Sequence, residues 1–261
     1  MKKEIQFYGC SYSDGGGMDT NQFYDWFKNE KWVNEYPKEN RFEIDGFDIE
    51  FKNYFRFSNI IERKTNYQIN NNSCTGNNNQ NIFDTLINNL EHNKGDIHVV
   101  QWSHFHRQKL WYEPNRKYYR LSGFEKDAVG FEGSGDKDEY GELTDFHNQW
   151  LKNHFNEEYE RSKVINYTKL LTAYSNEKDI PIYFITWDYL PYKNEKFIDF
   201  SDDLNENPLG HYVGIQYDLY GKEYTIEQRT NYDILDGHLS YEGNLMVAEK
   251  IINRLKQDEL L

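Results

Sequence analysis

The sequence predicts an α/β protein with a mostly parallel sheet that has helices on both faces. Short apolar runs typical of buried strands alternate along the chain with segments in which apolar residues have helical spacing. Polar or glycine-rich loops follow three of the predicted strands, as expected where a parallel sheet carries a ligand site. The length, 261 residues, suits one large domain with a substantial core, and we predict a single domain over residues 1–261.

Each predicted element follows from local pattern. The predicted strands are a run ending at Tyr8, a short run at 67–70, the continuous apolar run 96–103, and the run 180–187 with Pro181 at its start. The predicted helices are 54–64, 81–93, a helical region at 141–175 that can divide in two, and a final helix capped by Ser240. Long polar and aromatic insertions are predicted at about 14–53, 108–138 and 188–232.

Charge and composition exclude several classes of partner. Thirty Lys and Arg against 44 Asp and Glu give a formal net charge of -14, which repels nucleic-acid phosphates and anionic membrane surfaces. No apolar run approaches the length of a membrane span, and the first residues lack the apolar core of a signal peptide, so we expect a soluble, cytoplasmic protein. The two cysteines predict reduced thiols without a disulfide scaffold or metal-ligand spacing.

Four short segments carry the candidate chemistry. Gly9-Cys10-Ser11, Thr75-Gly76-Asn77 and Ser103-His104 follow predicted strands, and Asp236-Gly237-His238 precedes the last helix. Loops at the carboxyl ends of parallel strands converge, so these segments offer a serine nucleophile, a base, a carboxylate and backbone donors. Ser13 is a second serine of the same turn and remains a rival nucleophile.

In order and spacing over nearly the whole chain, these segments resemble the SGNH (GDSL-like) hydrolases, serine esterases and lipases with a flavodoxin-like three-layer fold. The start of the pattern is similar to a subfamily whose first block begins Gly-Cys-Ser. The resemblance implies that Ser11 is the nucleophile, His238 the general base and Asp236 the triad acid, with Asp233 as the alternative acid. It also implies oxyanion donors at Ser11 and Gly76, with no cofactor and no metal.

The chain departs from this family at three positions. Cys10 stands where the family usually has Asp, and Leu235 stands three residues before the triad histidine, where its Asp is usual. The third block has no Asn, so the third oxyanion donor is left open among three residues: Ser103, His104 and Asn79.

The expected substrate is an O-acyl ester, with a carbohydrate O-acetyl ester favoured because the insertions are polar and aromatic and no apolar lid helix is visible. Arg107 and Trp102 are candidate substrate contacts, although a structural ion pair is the favoured interpretation of Arg107. Two other functions stay open. One is an inactive glycan-binding or assembly protein of the same fold, and the other is a metal-dependent hydrolase using four residues: His104, His106, Asp236 and His238.

Overall fold

The structure, a computed structural model, describes residues 2–14, 54, 56–74, 76–92, 94–105, 107–112, 117–121, 149–186, 190–198 and 241–261. The strands are β1 (Glu4–Tyr8), β2 (Gln68–Asn71), β3 (Ile97–Trp102), β4 (Gln108–Tyr112), β5 (Lys117–Leu121) and β6 (Ile182–Thr186). The helices are α1 (Ser11–Asp14), α2 (Phe57–Lys64), α3 (Asn79–Glu91), α4 (Glu157–Lys178) and α5 (Tyr241–Gln257).

The main sheet confirms the α/β prediction. In the described part of the chain, four strands form it in the order β2-β1-β3-β6, and β3 pairs in parallel with both β1 and β6. All six residues of β3 are buried, as its continuous apolar run predicts for a central strand. Because β1, β3 and β6 run in one direction, Gly9-Cys10 and Ser103-His104 both follow the same edge of the sheet.

By the density of their contacts, the residues fall into two compact units. One is drawn from residues 1–3, 11–69 and 200–261, and the other from residues 4–10 and 70–199. Among the described residues, each unit has its own buried apolar side chains. The interpretation of residues 1–261 as a single domain stays a prediction.

The second unit is built around β3. Its buried apolar cluster is contributed by β1, α3, β3, α4 and β6, together with residues that follow β3 and β6. Trp102 stacks on Phe184 with ring centroids 6.2 Å apart and planes 7° apart. The Trp102 indole N–H donates to the Thr168 hydroxyl at 3.1 Å, which satisfies its polar atom inside the cluster.

The first unit contains the packing of α2 on α5. Both helices bury apolar residues at helical spacing: Phe57, Ile60, Ile61, Val247, Ala248, Ile251, Ile252 and Leu255. The buried Asn244 side chain accepts a hydrogen bond from the Phe57 backbone N–H at 2.9 Å, which satisfies one of the free donors at the start of α2.

Asparagine side chains set two helix starts. Asn78 Oδ1 accepts from the Asn81 N–H at 3.0 Å, so α3 begins two residues before the predicted 81–93. Asn156 Oδ1 accepts from the Tyr159 N–H at 3.0 Å and begins α4. Residues 149–154 are also helical, so the described part of the region at 141–175 does divide in two, and α4 continues to Lys178.

The structure differs from the prediction at 108–138, where an irregular insertion was expected. There β4 and β5 form an antiparallel hairpin with Leu110 opposite Tyr119. Two of the five residues in each strand are Trp or Tyr, and the high strand propensity of these aromatic residues explains the hairpin. The segments 15–53, 122–148 and 199–240, which hold most of the three insertions, lie outside the described residues.

No helix among the described residues combines the length and the apolar character that crossing a membrane requires.

Candidate active site

The turn after β1 carries the candidate nucleophile. The last four residues of β1 are buried, the strand ends at Tyr8, and Gly9 and Cys10 lead directly into α1, whose first residue is Ser11. The Ser11 backbone therefore begins a helix one short turn beyond the carboxyl end of a buried parallel strand. Its side chain lies outside what the structure describes, whereas the rival Ser13 is 1% exposed.

The peptide between Gly9 and Cys10 is hydrogen-bonded on both sides. Its carbonyl oxygen, Gly9 O, accepts from the Cys74 N–H and from Asn77 Nδ2, each at 3.2 Å. Its N–H, on Cys10, donates to Gln101 Oε1 at 3.1 Å. Both polar groups of this one buried peptide are thus satisfied by residues far away in sequence.

Gln101 is a site residue that sequence reasoning missed. It lies on β3 and is 1% exposed, and its Oε1 also accepts from the Cys10 thiol at 3.4 Å. Its Nε2 donates to the Trp102 carbonyl at 2.6 Å and to Cys10 Sγ at 3.3 Å. The available signal was a glutamine inside an apolar strand run, since a buried amide must find partners.

The loop of Gly76 is tied to the same strand. Gly76 has φ +73°, a left-handed conformation that favours glycine. Before it, the Asn72 N–H donates to Phe7 O at 2.8 Å, and after it the Asn77 N–H donates to Cys74 O at 3.1 Å. The Gly9 carbonyl, two residues before Ser11, therefore also anchors this loop on both sides of Gly76, through the Cys74 N–H and Asn77 Nδ2.

Asn79 and Ser103 form a reciprocal pair. Asn79 Nδ2 donates to Ser103 O at 2.9 Å, and the Ser103 N–H donates to Asn79 Oδ1 at 2.7 Å. The pair joins the first residue of α3 to the residue that follows β3, and both residues are buried. One amide side chain therefore occupies both backbone groups of Ser103.

Arg107 and Trp102, the candidate substrate contacts, lie in different surroundings. Arg107 is half-buried and its Nη1 donates to Ser103 Oγ at 3.3 Å, while its buried Nε has no partner among the described residues. The Trp102 side chain is 1% exposed within the apolar cluster. His104, the other candidate here, accepts at its carbonyl from the Arg107 N–H at 3.2 Å.

A neutral polar cluster lies within the sheet. The Tyr8 hydroxyl is hydrogen-bonded to His98 Nδ1 at 3.0 Å and accepts from Asn89 Nδ2 at 3.1 Å. Burial lowers the pKa of His98 to about 4, although the Asp96 carboxylate acts in the opposite direction. Burial also raises the pKa of Tyr8 well above its usual range. Both side chains are therefore uncharged near neutral pH.

The remaining predicted site residues lie outside the described residues: Thr75, His106, Asp233, Asp236 and His238. Within the part of the chain that the structure does describe, no group of three or more His, Cys, Asp or Glu side chains is placed to hold a metal ion.

No protein family model matches the chain, and no curated protein matches it. Among solved structures, the psychrotrophic esterase EstA from Pseudoalteromonas sp. is similar over 98% of this chain and 97% of its own, with 11% identity and a TM-score of 0.40. An acetyl xylan esterase, AlAXEase, is similar over 96% of this chain and 98% of its own, with 12% identity and a TM-score of 0.39. A protein of the G-D-S-L family from Desulfitobacterium hafniense DCB-2 is similar over 97% of this chain and 99% of its own, with 11% identity and a TM-score of 0.32. Identities and TM-scores this low assign no role to any residue of this chain.

Proposed function

We propose that this chain is an SGNH-type serine esterase with Ser11 as its nucleophile. The observation that supports it most directly is the buried strand β1 running through Gly9 and Cys10 into a helix that begins at Ser11. This turn from strand to helix suits a nucleophilic serine, because it can present the hydroxyl at the edge of a rigid sheet. Polar contacts hold the backbone before Ser11 on both sides of one peptide.

The proposed mechanism is acyl transfer. His238 takes the proton of the Ser11 hydroxyl as it attacks the ester carbonyl, then returns a proton to the leaving alcohol. Asp236 holds the His238 imidazole in the needed tautomer and stabilises its cationic form, with Asp233 as the alternative acid. Water then releases the acyl group by the same steps.

The oxyanion formed on attack is proposed to accept from the backbone N–H groups of Ser11 and Gly76. Each such donor contributes about 3 kcal/mol to lowering the barrier. For the third donor, the Ser103 N–H is disfavoured because Asn79 Oδ1 already accepts from it. The Asn79 amide is favoured over His104 because it keeps one Nδ2 hydrogen beyond the one given to Ser103 O.

The proposed substrate is a small or carbohydrate O-acyl ester, and Arg107 is the proposed polar contact for it. Its guanidinium lies beside the end of β3, where Nη1 donates to Ser103 Oγ at 3.3 Å, and the side chain is only half-buried, so its exposed part is available to donate to a substrate oxygen. The mechanism requires no cofactor, because the nucleophile, base and donors are all protein groups.

The test is labelling by a fluorophosphonate probe together with hydrolysis of p-nitrophenyl acetate. We expect wild type to react with both and Ser11→Ala with neither, while Ser13→Ala retains activity. Equal labelling of wild type and Ser11→Ala would refute Ser11 as the nucleophile.

Other outcomes lead to the alternative functions. Activity that a chelator removes would support the metal-dependent hydrolase, with ligands among His104, His106, Asp236 and His238. A wild type that is inert towards both reagents and still binds glycans would support the inactive binding protein.

A further inference from the structure

We propose that Gln101 is a positioning residue that orients the turn carrying the nucleophile, an inference that rests on the proposed esterase function. Gln101 lies on β3, and its Oε1 accepts from the Cys10 N–H at 3.1 Å. Cys10 immediately precedes Ser11, so this contact is one peptide away from the proposed oxyanion donor, the Ser11 N–H.

The geometry fixes a peptide plane rather than a single atom. The Gly9 carbonyl and the Cys10 N–H belong to the same planar unit, and they point in opposite directions. Asn77 Nδ2 and the Cys74 N–H hold the carbonyl, while Gln101 Oε1 holds the N–H. A plane held at both ends cannot rotate about the chain without breaking hydrogen bonds in a buried environment.

This restraint passes to the next peptide. With the Gly9-Cys10 plane fixed, two torsions of Cys10 alone set the direction of the Ser11 N–H. An oxyanion donor contributes only when it is aimed at the developing charge, and a misplacement of about 1 Å costs about 100-fold in rate.

Further contacts with described residues hold Gln101 itself. Its Nε2 donates to the Trp102 carbonyl at 2.6 Å, and its side chain also meets the Cys10 thiol. Because Gln101 is 1% exposed, water cannot replace the lost acceptor if the side chain is shortened or made apolar. The requirement for an oxygen acceptor at this position explains a glutamine in an apolar central strand.

The test compares Gln101→Met with Gln108→Met in steady-state hydrolysis of p-nitrophenyl acetate. Gln108 is a matched control, since it is 7% exposed and its Nε2 donates to the Phe105 carbonyl at 2.7 Å, outside the turn. We expect Gln101→Met to lower kcat about 10- to 100-fold with little change in KM, and Gln108→Met to leave both unchanged. Gln101→Glu, which keeps the acceptor oxygen, is expected to recover part of the kcat. Equal kcat in wild type and a folded Gln101→Met would overturn the inference.

Hydrogen exchange separates this inference from the esterase proposal. We expect faster amide exchange in the peptide spanning residues 7–12 of Gln101→Met, and no change there in Gln108→Met. An inert wild type would overturn both the esterase proposal and the effect of Gln101 on kcat, even if exchange responds as expected. An active wild type whose exchange and kcat are both insensitive to Gln101→Met would overturn the positioning role alone.

Discussion

Replacing His98 is expected to change how the stability of the protein depends on pH. His98 is fully buried, and its pKa is lowered from 6.5 to about 4. Protonation would place an N–H on both ring nitrogens, yet Nε2 has no hydrogen-bond partner among the described residues. The folded state therefore resists protonation, whereas the unfolded chain binds the proton at its ordinary pKa.

The direction and the size of the effect of His98 on the free energy of unfolding follow from proton linkage. Between the two pKa values the unfolded state binds more protons, so the free energy of unfolding rises with pH across this window. The contribution of His98 is fully present above about pH 6.5 and is lost as pH falls towards about 4, with a total of about 3 kcal/mol. By about pH 5, roughly 2 kcal/mol of it is gone.

The assay is urea unfolding of wild type and His98→Asn at about pH 7.5 and about pH 5. Asn is a suitable replacement because its side-chain amide can form a hydrogen bond with the Tyr8 hydroxyl in place of His98 Nδ1, while the side chain does not titrate. The variant is less stable at the higher pH because it leaves a cavity. The expected result is that wild type loses roughly 2 kcal/mol more than the variant on acidification. An identical loss in both proteins would show that His98 is protonated as readily when folded as when unfolded.

Two further predictions concern positive φ angles. Asp179 ends α4 with φ 54°, a conformation that favours glycine, and it places a carboxylate at the negative end of the helix dipole. Asp179→Gly should therefore raise the free energy of unfolding by about 1 kcal/mol. A lower Tm than wild type would contradict this. Gly95 has φ 81°, and a Cβ there would lie 2.5 Å from Gln6 Cγ, so Gly95→Ala should lower the free energy of unfolding by about 1–3 kcal/mol, measured by urea unfolding. An unchanged urea midpoint in Gly95→Ala would show that the turn before β3 relaxes without cost.

Much of the fold could be predicted because it depends on local pattern. The buried runs at Ile5–Tyr8 and Ile97–Trp102 are apolar enough to indicate sheet strands, and both pair in parallel as expected. The hairpin of β4 and β5 was not predicted, because neither of its strands alternates cleanly between polar and apolar residues.

In the candidate site, too, local pattern predicts some features and misses others. Glycines and a serine after a strand are visible as a turn, and the order of the segments resembles that of the SGNH hydrolases. The contacts that hold this turn join residues far apart in the chain, such as Asn77 and Gly9, 68 positions apart, and Gln101 and Cys10, 91 positions apart, and no spacing rule connects them. Likewise, Asn79 could be selected as a possible donor, but its reciprocal bonds to the Ser103 backbone depend on how α3 packs beside the end of β3.

The sequence by itself therefore determined the alternation of strands and helices, the turn at Gly9-Cys10-Ser11 and the absence of a net positive charge. Each of these depends on residues that are close in the chain or on their sum. Only the tertiary structure decided that Gln101 and Asn77 hold the two ends of one peptide, and that His98 is buried beside Tyr8. The physical reason is that hydrogen-bond partners and desolvation depend on which distant segments the sheet brings together.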